Sequence, residues 1–190
     1  MPALSILAGY LAGSVPFAFL LARRRGIDVR QAGSGNVGAA NVMRTTGIGR
    51  AIAVMALDVA KGAVAVALVN VASGGLLLAA LTGAAAVVGH IYPVWLRFHG
   101  GKGIAVAAGV FAVLSPLATG IAVLLFVVIV WATRYISLGS IAATLALPPV
   151  AWYTGAPGAV VSVAAGTASL IVFRHRGNLR RLTRGTERRI

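Results

Sequence analysis

Three short stretches of this sequence carry residue types suited to holding phosphate. The first, "GSGNVGAANVMR" from Gly33 to Arg44, sets Gly33, Gly35 and Gly38 in the spacing of a dinucleotide fingerprint. Such a fingerprint needs a strand before it, a helix after it and an acid about twenty residues on, all within a parallel sheet. Asp58 stands at that distance from Gly38 but inside an apolar run, so no sheet can be built around it and the match is accidental. The physical content survives: glycines let the backbone bend and present N–H groups to an anion, and Ser34, Asn36, Asn41 and Arg44 add side-chain donors. A helix after Gly38 would place Asn41 and Arg44 on one face and aim its N-terminus at the anion. A polar connecting loop with an arginine that only sets topology is the alternative for this stretch taken alone.

The second stretch, "RFHGGKGIA" from Arg97 to Ala105, surrounds Lys102 with Gly100, Gly101 and Gly103. A P-loop would need Ser or Thr after the lysine and a glycine where Leu96 stands, so this is a different cationic, glycine-rich turn. The third, "FRHRGNLRRLTRGTE" from Phe173 to Glu187, sets His175 and Asn178 three apart amid arginines whose simpler role is a collar facing lipid headgroups. Ser137 and Ser140, beside Arg134, are a cap and a packing residue or a further pair of phosphate donors.

The elements that must position these residues are membrane spans. Of 190 residues 59% are hydrophobic and only 11% charged, a balance no water-facing surface tolerates. Apolar runs cover Pro2 to Ala22, Ala51 to Ser73 and Gly74 to Leu96. Gly103 to Thr133, with Pro116 inside it, and Tyr135 to Phe173, with "LPPVAWYTGAPG" inside it, are each too long for one straight crossing of about 17 to 25 residues. Charge decides how they divide. If each crosses twice, the turns near Ser73, Ser115 and Thr154 face outside and carry none of the seventeen basic residues. A reading with one crossing fewer would expose the arginine-rich tail outside, against the positive-inside bias. The expected fold is therefore an all-α polytopic membrane protein of seven transmembrane helices, N-terminus outside and C-terminus cytoplasmic, forming one domain over residues 1–190. Gly9 and Gly13, four apart, are read as a close helix contact.

Composition also removes several chemistries. Without cysteine there are no disulfides, thiolate metal sites or cysteine nucleophile. The acids are Asp28, Asp58 and Glu187 alone, far apart, which argues against a di-metal site built on clustered carboxylates, and nothing calls for a metal or cofactor. Asp58 and Lys61, three apart in one span, are read as a mutually neutralising pair, because a lone charge at mid-membrane costs about 2.5 to 3.5 kcal/mol. The basic tail has no soluble fold or aromatic platform beside it, so nucleic acid is not expected as a partner.

At these residues the sequence resembles the bacterial acyl-phosphate:glycerol-3-phosphate acyltransferase (PlsY) family. "SGNVGAANVMR", "GHIYPVWLRFHGGKGIA" and "HRGNLRRLTRGTE" stand in the family's order and spacing, with "LDVAKG" and "SLGSI" between them. The resemblance implies seven membrane helices, a cytosol-facing site and transfer of a fatty acyl group from acyl phosphate to the 1-hydroxyl of glycerol 3-phosphate, giving lysophosphatidate and phosphate. It also implies that Ser34, Arg44, Lys102, Ser140, His175 and Asn178 bind and catalyse. To this set the residues themselves add Gly35, Asn36, Asn41, Gly100, Gly101, Gly103 and Ser137 as binding groups, with Asp58, Lys61 and Glu187 in support. The partners are then the two substrates and membrane lipid, with no obligate protein partner. The chain departs from the family pattern at Ala40 and Val106, where Thr is usual, and at His99, where Lys is usual.

An acyl phosphate is a mixed anhydride with a ready leaving group, so the protein has mainly to gather two anions and stabilise an oxyanion. Arg44 and Lys102 would offset phosphate repulsion. His175 is the candidate base or phosphate donor, with a substrate phosphate oxygen as the other proton acceptor. Enzymes that use acyl-CoA carry a His with an Asp five residues later, whereas Trp95, Ile104 and Arg180 follow His90, His99 and His175 at that distance. The competing readings are a transporter of a small phosphorylated metabolite and a divergent paralogue with altered substrate.

Overall fold

The computed structural model describes residues 2–73 and 75–190; Gly74, where the third apolar run begins, lies outside the described residues. Every regular element among them is helical. Two compact units divide the chain, Met1–Val113 and Leu114–Ile190.

In the first unit, α1 (Pro2–Ser14) and α2 (Phe17–Arg23) are one apolar run interrupted at Val15 and Pro16. Proline has no N–H and its ring crowds the preceding turn, so the helix breaks there. A loop leads to α3 (Ala39–Thr46), followed by α4 (Ile48–Ser73) and α5 (Leu76–Ile91). Pro93 and a single 3-10 turn, Val94–Leu96, end that run, and α6 (Ile104–Leu114) follows the glycine-rich turn. Glycines let these helices touch backbone to backbone. A Cβ at Gly9 would meet the Thr82 carbonyl, at Gly13 that of Ala86 and at Gly89 that of Tyr10, so α1 and α5 pack along a face with no room for side chains. Gly62 of α4 and Gly109 of α6 serve the same way, against the carbonyls of Val106 and Val59.

The second unit holds α7 (Pro116–Thr133), α8 (Ile136–Tyr153), α9 (Gly158–Arg174) and α10 (Arg176–Thr183). Pro116 takes the first turn of α7, where a missing N–H costs nothing, so the long apolar segment divides at Ser115 as expected. The later one divides at Thr154, with Gly155 at φ +80°, while α8 runs on through Pro148 and Pro149. α8 packs against α7 and α9. α9 and α10 meet at a bend of 56°.

Among the described residues, five helical stretches are long and apolar enough to cross a membrane, and a sixth if the bent α9–α10 pair counts as one. The chain is an all-α polytopic membrane protein. The 11-residue α6 rises only about 17 Å, well short of a hydrocarbon core of about 30 Å.

Candidate active site

The first phosphate-suited stretch is a loop held from within. Val29, Val37 and Val42 anchor it in an apolar cluster with Ala18 and Ala22 of α2 and Ala51 and Val54 of α4. Asp28 receives a bidentate grip from Arg30, which also lies over the Phe19 ring, and the guanidinium holds the Asp28 carboxyl down to about 2. Gly33 and Gly35 turn through left-handed backbone, φ +63° and +72°, which side chains disfavour. Asn41, fully buried, closes the loop: its Oδ1 accepts the Ser34 N–H at 2.8 Å and its Nδ2 donates to Val29 O and Ala32 O at 2.9 and 3.0 Å. The expected sharing of a ligand face by Asn41 and Arg44 is thereby corrected. Asn41 points into the loop, and Arg44 stands exposed on α3 with Ser34 and Gly35 exposed nearby in sequence and Asn36 half-buried.

The glycine-rich turn is a cap on α5. A helix leaves its last carbonyls without partners, and here Gly101 N–H donates to His90 O and Gly100 N–H to Ile91 O, both at 3.1 Å. A Cβ at Gly100 would strike the His90 carbonyl, and one at Gly101 the His90 ring and Val37 O, so only glycine admits this approach. Those two N–H groups, expected to face a phosphate, are spent on α5. The N–H groups that begin α6, directly after Lys102 and Gly103, are the ones a helix start presents to an anion. Because Val37 belongs to the first loop and touches Gly101, the first and second motifs meet. Lys102 is half-buried beside this junction.

Behind the turn lies a buried polar cluster. Lys61 Nζ is 2.8 Å from Asp58 Oδ1, 2.9 Å from Val15 O at the α1–α2 break and 3.1 Å from His90 Nδ1. The expected Asp58–Lys61 pair is present, and His90 joins it. Sequence reasoning passed over His90; the available signal was an isolated charged pair in one span with a polar ring in the next.

In the second unit, Glu187 gathers the third motif. Its Oε1 accepts from Ser137 Oγ at 2.8 Å and Asn178 Nδ2 at 2.6 Å, and its Oε2 lies 2.7 Å from Arg181 Nε. Burial pushes the Glu187 carboxyl up, but these three donors outweigh it and hold it below the usual carboxylate range. Ser137, expected to donate to phosphate, donates to Glu187 instead. Ser140 is buried one turn further along α8. His175, at 2% exposure, sits at the α9–α10 bend with Nδ1 2.8 Å from Ile171 O. A carbonyl partner calls for a proton on Nδ1.

The glycerol-3-phosphate acyltransferase family profile matches residues 3–185, through the first two motifs and into the third as far as Gly185. The chain belongs to the glycerol-3-phosphate acyltransferase family. Similar relatives of that description come from Syntrophomonas wolfei, 44% identical over 95% of this chain and 93% of the relative, and Myxococcus xanthus, 45% identical over 97% of each. Crystal structures of PlsY (YgiH), an integral membrane glycerol 3-phosphate acyltransferase, superpose with TM-scores of 0.95 for the glycerol 3-phosphate form and 0.93 for the lysophosphatidic acid form. They are 39% and 38% identical to this acyltransferase and cover all of it, with 95% of each solved chain matched. The three departures from the family pattern differ in setting: Val106 is fully buried on α6 against Gly62, Ala40 is half-buried on α3, and His99 is exposed, its Nδ1 2.6 Å from Arg97 O.

Proposed function

We propose that the acyl donor is acyl phosphate and the acceptor the 1-hydroxyl of glycerol 3-phosphate. The activity follows from family membership: the chain is a glycerol-3-phosphate acyltransferase, and its product is lysophosphatidate. The transporter reading gives way to it. The observation that carries the mechanism is the junction of the two loops at Val37 and Gly101; Ser34, Gly35 and Arg44, all exposed, belong to the first motif, and Lys102 and the start of α6 to the second. The one carboxylate of the first loop, on Asp28, is taken up by Arg30.

Arg44 and Lys102 offset the charge of the phosphates. Ser34, Gly35, Asn36 and the N–H groups after Gly103 orient them, and Asn41 holds the loop that carries the first set. Attack by the glycerol oxygen on the acyl carbon forms the ester bond and breaks the carbon–oxygen bond to phosphate, which leaves with the electron pair. The hydroxyl proton goes to His175 Nε2 or to a phosphate oxygen, either of which avoids a covalent enzyme intermediate. Ser140 and Asn178 complete the binding set, with Ser137 and Glu187 in support. The basic residues favour seven crossings, N-terminus out, with these groups on the cytoplasmic side and one catalytic domain over residues 1–190.

Purified protein in detergent, given glycerol 3-phosphate with long-chain acyl phosphate or acyl-CoA, tests the donor. Lysophosphatidate and free phosphate from acyl phosphate alone is the expected result; product only from acyl-CoA overturns it.

A further inference from the structure

The phosphate-binding turn cannot be positioned by its own sequence, since glycines carry no side chains with which to anchor it. Backbone bonds from Gly100 and Gly101 run to the end of α5, where the His90 ring fills the space in which a Gly101 side chain would stand. His90 is 9% exposed, and its other ring nitrogen is 3.1 Å from Lys61 Nζ.

Lys61 has three N–H donors, and three acceptors surround it: Asp58 Oδ1, Val15 O and His90 Nδ1. An ammonium so placed donates to Nδ1, so the ring's other nitrogen, Nε2, is the one that faces Gly101. Val15 O, which also accepts the Phe17 N–H at 3.2 Å, meets Lys61 at the break between α1 and α2 that Pro16 makes. The chain of contacts thus runs from the α1–α2 break through Lys61 and His90 to Gly101, and across Gly101 to Val37 of the first motif.

We propose that His90, fixed by Lys61 and Asp58, is a positioning residue that sets the glycine-rich turn against the first loop and so tunes affinity for the phosphate seated at Lys102. This rests on the reading of that turn as a phosphate site. The buried pair in the span then has a role beyond mutual neutralisation: it holds one ring in one orientation.

The test uses full-length His90→Ala, His90→Gln, Lys61→Met and Lys102→Ala proteins in detergent, each checked for folding by monodispersity and thermal melting. Initial rates are measured against glycerol 3-phosphate and against acyl phosphate, with inorganic phosphate as a competing probe. In His90→Ala and Lys61→Met, KM for the substrate that Lys102 serves should rise roughly tenfold, with inhibition by inorganic phosphate weakened in parallel and kcat within about threefold of the parent. His90→Gln, whose amide nitrogen reaches the place of Nε2, should recover much of the loss. Should His90→Ala fail to fold, Lys61→Met carries the test, because it leaves the ring and the turn in place. Unchanged KM in folded His90 and Lys61 variants, or loss confined to kcat, overturns the proposal. Lys102→Ala indistinguishable from the parent would instead overturn the phosphate-site reading beneath it.

Discussion

Asn41 Oδ1 accepts the backbone N–H of Ser34 at 2.8 Å, seven residues back in the chain. With the two bonds from its Nδ2, this makes one buried amide the fastener of the whole first loop. Asn41→Ala leaves Val29 O, Ala32 O and Ser34 N–H without that partner; Val29 is the fully buried one of the three, and a buried group so stranded costs about 1 to 3 kcal/mol. A lower melting temperature and loss of most acyltransferase activity are expected in the detergent-purified variant. Asn41→Asp should do no better, because a carboxylate would then face two carbonyls.

His175 separates fold from chemistry. In His175→Asn the amide nitrogen stands near Nδ1 and can still donate to Ile171 O, while nothing replaces Nε2. Melting temperature should stay near that of the parent, with kcat reduced about 100-fold or more if Nε2 takes the proton. A rate close to the parent's would assign proton transfer to the substrate phosphate.

Acid should loosen the clasp around Glu187. Its carboxyl is held below the ordinary range in the folded chain, so the unfolded chain binds this proton more readily. The clasp therefore contributes in full above the unfolded-state value and is lost as pH falls through the folded-state value. Thermal melts from neutral to acid pH should show a decline that Glu187→Gln lacks, the variant starting lower at neutral pH.

Glycines of the two kinds should respond in opposite directions. Gly13→Ala drives a methyl into the Ala86 carbonyl, and such overpacking costs about 1 to 3 kcal/mol. Gly166, inside α9, has open space where a methyl would stand, so Gly166→Ala should gain about 0.5 to 1 kcal/mol from helix propensity. Paired melting curves of the two variants check both signs.

Much of the architecture was legible along the chain. Apolar length, the helix-interrupting chemistry of Pro116 and the absence of charge at alternate turns act locally, so each marks its own place, whereas the break at Pro16 lies within what reads as one run. The motifs were legible for a related reason: glycine, lysine and amide donors announce anion chemistry wherever they cluster. The turn at Thr154 was found, and the shortness of α6 follows from a segment that starts at Gly103 and is divided at Pro116.

What the sequence determined by itself was therefore the membrane class, where most helices break and the residue types that handle phosphate. Tertiary structure alone decided which way those residues face. Asn41 turned inward, the N–H groups of Gly100 and Gly101 went to the carbonyls that end α5, and Ser137 went to Glu187. His90 meets Lys61 across 29 residues and Ser137 meets Glu187 across 50. The physical reason is that a polar group withdrawn from water takes whichever partner packing brings within reach, and that partner is set by the fold rather than by neighbours in sequence.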